Sequence, residues 1–330
     1  MRAAFVPAPD RMEVGDFPLP VAEHEGELVV RMTRASICGS DVHSVYHGFH
    51  NPAGLGRPGY PGHEGVGVVV QSRSERFPEG TRVLTVPVGN IGGCFAEYQL
   101  ITDTQVIALP DGIDDSAALM AQQYGTTLFA MRLFWPEPGN TGISTGTAAV
   151  IGAGSAGLFF AQQAFLLGFE NVIVSDRNTD RLAVAASLGA QTVHAPQESI
   201  ADAARAATGG AGADLVIEAA GYDRCRADAI DAVRMFGTTG FFGFPEVTGD
   251  APFPSFDAFR KAARMQWASG TQGEPGLVSF HDAVEHIRDG RIDVSYCLGT
   301  EYSLEDMPEA IRVARDDGHG NVKLIIRLDQ

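Results

Sequence analysis

Positive charge is scarce in this sequence, cysteine is scarcer, and long unbroken apolar runs are nearly absent. Its 330 residues carry 24 Lys and Arg against 41 Asp and Glu, a formal net charge of -17 with a pI near 4.8. Phosphate backbones and anionic lipid repel such a surface, which excludes nucleic acid and membrane as partners. The four cysteines, Cys38, Cys94, Cys225 and Cys297, are too few and too scattered for a disulfide framework and point to a reducing compartment, the cytoplasm. Residues 1–7 lack the apolar core of an export signal. The longest apolar stretch, 148–169, is broken by a glycine turn and by Gln162 and Gln163, so it reads as a buried strand, turn and helix rather than a membrane span. No repeat or low-complexity tract supplies a domain boundary.

What is present is organised in two rhythms. A hydrophobic content of 45% in a chain of this length is enough for two domains with sizeable cores. Residues 1 to about 120 read as short strands divided by prolines and turns, a β-rich, barrel-like region; 27–32 and the valine run 65–71 are the clearest. A helix is expected over 117–131. Strand and helix then alternate: strands at 148–151, 172–175, 214–218 and 239–243, helices at 156–167, 181–188 and 226–235. That alternation predicts a doubly wound parallel sheet covered on both faces. After about residue 270 the rhythm changes to a helix at 280–288, a strand-like 292–298, a helix at 304–315 opened by Ser303 with Asp306 in its first turn, and a strand at 322–328.

Chemistry gathers in 35–70. Cys38-Gly39-Ser40-Asp41-Val42-His43 and Gly62-His63-Glu64-Gly65 bring a thiol, two imidazoles, two carboxylates and a hydroxyl into one short polar segment. Cys38 and His63 are side chains that zinc prefers, and Glu64 can add an oxygen. Taken alone, the pair reads as readily as a small buried cysteine and a satisfied loop histidine. A second signal lies at Gly152-Ala153-Gly154-Ser155-Ala156-Gly157, a GxGxxG between an apolar strand and a helix. Gly152 allows the tight turn, Gly154 lets the backbone approach a pyrophosphate, and Gly157 lets the helix pack on its strand, with Ser155 and Ala156 opening the helix N-terminus toward phosphate. Asp176, after the next strand, has the spacing of the acid that accepts from the adenosine ribose hydroxyls. A carboxylate there favours NAD over NADP, although Arg177 beside it is able to bind a 2′-phosphate.

With both motifs in hand, the sequence resembles the medium-chain dehydrogenases, the zinc alcohol, polyol and sugar dehydrogenase group, along essentially its whole length. The resemblance implies a discontinuous GroES-like catalytic domain over 1–125 and 270–330 and a Rossmann domain over 126–269. It makes Cys38 and His63 catalytic zinc ligands, Asp41 the acid that orients His63, Ser40 the hydroxyl that contacts substrate oxygen, and His43 the solvent end of a proton relay through the cofactor ribose. Relatives that take a third ligand from the helix entering the cofactor domain have an acid or thiol there, whereas this chain has Ala121-Gln122-Gln123-Tyr124-Gly125. Archaeal glucose dehydrogenases are similar at this point, which assigns the third ligand to Glu64 and leaves Gln122 near metal or substrate. His47 and His50 remain alternative ligands. The lobe of clustered cysteines is replaced by the short 86–93, so one catalytic zinc and no structural zinc are expected.

The implied activity is hydride transfer between an alcohol, polyol or sugar, or its carbonyl form, and a nicotinamide cofactor, by a homodimer or homotetramer. Gln122, Asn90 and Glu64 suit a polyhydroxylated substrate; Phe49, Phe95 and Tyr124 suit an apolar one. Two other readings stay open at this stage. A zinc-free quinone or enoyl reductase shares the fold, and Gly125-Thr126-Thr127 is similar to that branch. A non-enzymatic NAD(P)-binding protein is the third.

Overall fold

A computed structural model describes residues 1–49, 51–88, 92–136 and 146–329. Internal contacts divide the chain into two units, Met1–Thr126 with Gln272–Gln330, and Thr127–Thr271.

The first unit opens with a hairpin, β1 (Arg2–Ala8) and β2 (Arg11–Asp16), followed by the long β3 (Glu27–Ile37). A short helix, α1 (Gly39–Tyr46), leaves β3 at Cys38, and β4 (Gly65–Ser72) returns against it. In its run Gly-Val-Gly-Val-Val-Val, Val66 and Val69 are buried, Val68 is partly buried and Val70 is exposed. β5 (Arg82–Thr85), β6 (Tyr98–Thr102) and β7 (Val106–Ala108) complete the β-rich part, and α2 (Asp115–Phe134) leads out of it. This last helix starts two residues before the sequence pattern suggests because Asp114 Oδ1 accepts the main-chain N–H groups of Ser116 and Ala117 at 2.9 and 3.0 Å.

The second unit is a six-stranded parallel sheet in the order β10-β9-β8-β11-β12-β13, from β8 (Thr147–Ile151), β9 (Asn171–Asp176), β10 (Gln191–His194), β11 (Ala213–Glu218), β12 (Val233–Phe241) and β13 (Arg264–Trp267). The helices are α3 (Ser155–Leu166), α4 (Thr179–Ser187), α5 (Ile200–Ala207), α6 (Asp223–Ala232) and α7 (Ser255–Lys261). Strand order reverses at β8, so the glycine fingerprint stands at the carboxyl end of the strand where an open α/β sheet binds its ligand. The helix expected over 226–235 ends at Ala232. Val233 already pairs with Ala213, and Phe236 has φ +61, outside helical space.

The chain then returns to the first unit with α8 (Val278–Arg288), β14 (Thr300–Ser303), α9 (Met307–Arg315) and β15 (Leu324–Arg327). Together these strands give a seven-stranded sheet, β14-β15-β3-β4-β5-β7 with β6 also on β3. Two local expectations fail here. Residues 292–298 form no strand: Asp293 Oδ1 accepts the N–H of Ser295 at 2.8 Å and starts a 3₁₀ turn, while Ile292, Val294 and Cys297 are buried without a ladder. The helix expected from 304 begins at Met307, because the Ser303 hydroxyl donates to Asp306 Oδ2 at 2.5 Å instead of capping a helical N–H. Gly125, in the middle of α2, is explained by packing: a Cβ there would lie 2.5 Å from the Phe280 ring of α8.

Candidate active site

β3 ends at Ile37, and Cys38 follows as the residue before α1. Asp41, third in the helix and 1% exposed, accepts the Cys38 N–H on Oδ2 at 2.9 Å, closing the helix start. Its other oxygen, Oδ1, lies 3.0 Å from His63 Nδ1. His63 and Glu64 sit on the loop into β4, bracketed by Gly62 and Gly65. A Cβ on Gly62 would come 2.6 Å from the Phe95 ring, and one on Gly65 would run into Met32. Glycine is therefore what lets this loop press against Phe95 and against Met32 of β3. Cys38, His63 and Glu64 each present one donor atom, all within 4.8 Å of one another. Among the described residues no other group of three His, Cys, Asp or Glu donors converges in this way.

The electrostatics of this cluster favour added positive charge. Burial pushes His63 down, but the charge and hydrogen bond of Asp41, together with Cys38, outweigh it and hold the imidazole well above its usual range. Glu64 is 1% exposed. Burial raises it, but Lys323, His63 and the hydrogen bonds from Lys323 and Ser36 prevail and keep it ionised. Asp41 fixes the imidazole through Nδ1, leaving Nε2 for a ligand. Glu64 Oε1 is buried with no hydrogen-bond partner among the described residues. A sulfur, an imidazole nitrogen and a bare carboxylate oxygen make a donor set that fits zinc.

Sequence reasoning missed three members of this neighbourhood. Leu324 of β15 pairs with Ile37 of β3, so Lys323 arrives beside Cys38 from the far end of the chain. Its Nζ lies 2.6 Å from Glu64 Oε2 and 3.0 Å from Gln123 Oε1, with both charged side chains almost fully buried. Burial lowers the ammonium, but Glu64 and Cys38 more than restore it. Ser36 donates its hydroxyl to the same Oε2. One signal was available: the chain contains only two lysines, and Val322-Lys323-Leu324-Ile325-Ile326 spends one of them in an apolar strand.

The other expected site residues are placed as follows. Ser40 is half-buried in the first turn of α1. His43, one turn on, packs edge-on against His47 and Phe49 at 4.7 and 5.5 Å between ring centres, and burial, aided by His47, pushes it down to about 4. His47 is exposed and does not join the Cys38 cluster; His50 and Asn90 lie outside the described residues. Gln122 is buried, its Nε2 without a partner among the described residues. Phe95 is a core residue, and Tyr124 is fully buried with its hydroxyl 2.9 Å from His286 Nδ1, so neither is free to line a pocket. Burial pushes the Cys94 and Cys297 thiols to about 12, which makes them inert.

In the second unit the fingerprint glycines have distinct reasons. Gly152 has φ +102 and lies against the main chain of Ala219 and Ala220. A Cβ on Gly157 would collide with the Gly152 carbonyl, whereas one on Gly154 would meet nothing within 4 Å. That open face, beside the uncapped N-terminus of α3 where Ser155 and Ala156 begin, fits a pyrophosphate. Asp176 ends β9 and accepts the N–H groups of Ala153 and Asn178 at 2.6 and 2.8 Å, tying the acid to the glycine loop. Arg177 points its guanidinium over the Tyr222 ring at 5.8 Å, and its carbonyl faces His194 Nε2 at 3.1 Å.

Both halves match known families. Residues 24–111 match the profile of the alcohol dehydrogenase GroES-like domain, and 156–283 that of the zinc-binding dehydrogenases. A probable zinc-binding alcohol dehydrogenase of Mycobacterium tuberculosis is 29% identical over 100% of this chain and 89% of its own. Zinc-type alcohol dehydrogenase B of Aspergillus flavus is 30% identical over 81% of this chain and 68% of its own. The apo form of zinc-dependent alcohol dehydrogenase 2 from Streptococcus pneumonia superposes with a TM-score of 0.86 over 100% of this chain and 99% of that one, at 22% identity, a likeness of fold. The chain belongs to the zinc-dependent medium-chain dehydrogenase family, a GroES-like domain joined to a Rossmann-type domain. By family it is an oxidoreductase, a dehydrogenase with an alcohol dehydrogenase GroES-like domain. No helix among the described residues is long and apolar enough to cross a membrane.

Proposed function

We propose that this protein is an NAD-preferring dehydrogenase of alcohols, polyols or sugars that holds one zinc ion through Cys38, His63 and Glu64, with no structural zinc. The observation that carries this reading is the convergence of those three donors with Glu64 Oε1 left bare. Residues 1–125 and 270–330 form the catalytic domain and 126–269 the cofactor domain, a division supported by the contact boundaries at Thr126 and Thr271. When bound, zinc supplies Lewis acidity at the substrate oxygen and the nicotinamide supplies the hydride acceptor or donor. Asp41 orients His63, and Lys323 neutralises Glu64 from the side away from its bare oxygen. Ser40 Oγ takes the substrate hydroxyl proton, and His43, neutral at pH 7 because it is buried, is the base toward which that proton leaves. Gln122 acts on substrate rather than on the metal. Asp176 receives the adenosine ribose hydroxyls, and Arg177, occupied over Tyr222, leaves the preference with NAD.

The test is metal analysis of dialysed protein together with kcat/KM for both cofactors. One zinc per chain and a preference for NAD that narrows or reverses in Asp176→Ala are expected. Two tightly held zinc ions, or a wild type that favours NADP, would overturn the corresponding part.

The active form is a cytoplasmic homodimer. β13 is an edge strand with all four residues exposed, and the neighbouring α7 leaves Phe256 and Phe259 71% and 79% exposed. Antiparallel pairing of β13 with its copy across a two-fold axis covers both. Light scattering should give twice the chain mass, and Met265→Lys should give monomers; a monomeric wild type would rule this out.

A further inference from the structure

The strand that delivers Cys38 delivers a second polar side chain two residues earlier. Ser36 is fully buried, pairs with Ile325 of β15, and donates its main-chain N–H to the Glu64 carbonyl at 3.2 Å. Its hydroxyl and the Lys323 ammonium both take Glu64 Oε2, while Oε1 has no donor among the described residues. A carboxylate turns easily about its last bond, so something must fix the angle at which it presents an oxygen to the thiol and imidazole. Lysine alone does not decide it. Its three donors sit on a four-carbon stem and follow the carboxylate or take both oxygens. Ser36 has one O–H on a one-carbon arm, fixed to a main chain that is itself bonded to Glu64.

We infer that Ser36 is a positioning residue for the metal. It pins Oε2, presents Oε1 to Cys38 and His63, and keeps Lys323 from drawing the whole carboxylate away. This role rests on the zinc reading of Cys38, His63 and Glu64, and the experiment separates the two.

Full-length protein is stripped of metal and titrated with zinc alone in competition with a chromophoric chelator, for the wild type, Cys38→Ala, Ser36→Ala, Glu64→Gln and the double variant Ser36→Ala/Glu64→Gln. Loss of a group that orients a ligand typically weakens metal binding about 10–100-fold, and that is the loss expected for Ser36→Ala. In the Glu64→Gln background the same substitution should cost less than about threefold, because its effect passes through the carboxylate. Cobalt-loaded Ser36→Ala should also shift its visible absorption bands, which a general loosening of the fold would leave in place. Ser36→Ala binding zinc like the wild type, or a full tenfold loss persisting in the double variant, would overturn the role of Ser36. Wild-type binding no tighter than Cys38→Ala would overturn the zinc site itself.

Discussion

Asp41 holds both sides of the cluster at once: one oxygen takes the Cys38 N–H at 2.9 Å and the other lies 3.0 Å from His63 Nδ1. A single carboxylate thus sets where α1 begins and how the imidazole is turned. Asp41→Asn keeps the size but offers one acceptor in place of two. Zinc affinity should fall about 10–100-fold, measured by chelator competition, with the secondary structure by circular dichroism unchanged.

Breaking the Lys323–Glu64 pair from one side should be worse than removing it. Lys323→Met leaves a buried carboxylate without its cation, which costs about 3–5 kcal/mol, whereas Lys323→Met with Glu64→Gln leaves no net buried charge. Urea midpoints of metal-free protein are the measurement. The double variant should recover a large part of the loss, and a double variant as unstable as the sum of the singles would speak against the pairing.

The second and third glycines of the fingerprint should fail differently. Gly154→Ala enters open space at φ -67, an ordinary conformation, so stability should hold or rise by about 0.4–1 kcal/mol while NADH affinity drops at least tenfold. Gly157→Ala drives a methyl into the Gly152 carbonyl, and the second unit should lose several kcal/mol or fail to fold. Calorimetry and fluorescence titration of NADH separate the two outcomes.

His43 gives a pH signature. The unfolded imidazole titrates near 6.5 and the folded one near 4, so between those values the unfolded chain binds the extra proton. Its stabilising contribution is complete above about pH 6.5 and is lost as pH falls toward 4. Because the ring is only partly buried, about 1 kcal/mol is expected after solvent screening. His43→Asn should flatten the stability slope between pH 6.5 and 4.5 by that amount in urea titrations.

The alternation of β8, β9, β11 and β12 with α3, α4 and α6 was legible because each of those strands carries a short apolar run, whereas β10, Gln191–His194, is too short and polar to show one, and α5, α7 and β13 gave no signal that was read. The cluster was legible where its members are close in sequence, as Cys38 and Asp41 are, or as His63 and Glu64 are. Lys323 and Ser36 were not, since nothing local links a lysine near the chain end to a carboxylate 259 positions earlier; the β15–β3 register does that. The strand expected at 292–298 failed for a related reason, as apolar side chains there are buried by a turn that one aspartate starts.

The burial of Lys323 has a bearing on how this protein reacts with its surroundings. Of its two lysines, Lys323 is sealed on Glu64, and Lys261 spends its ammonium on the carbonyls of Asp231 and Val233. The terminal ammonium of Met1 is itself bonded to the Phe17 carbonyl at 2.7 Å. Acylating reagents, glycating sugars and lysine-directed crosslinkers therefore cannot reach Lys323 while the fold is closed, and only Lys261 and the Met1 amine, both partly exposed, are left to them. Labelling at Lys323 becomes a clock for the opening of β15, because the amine can be reached only when that strand leaves β3.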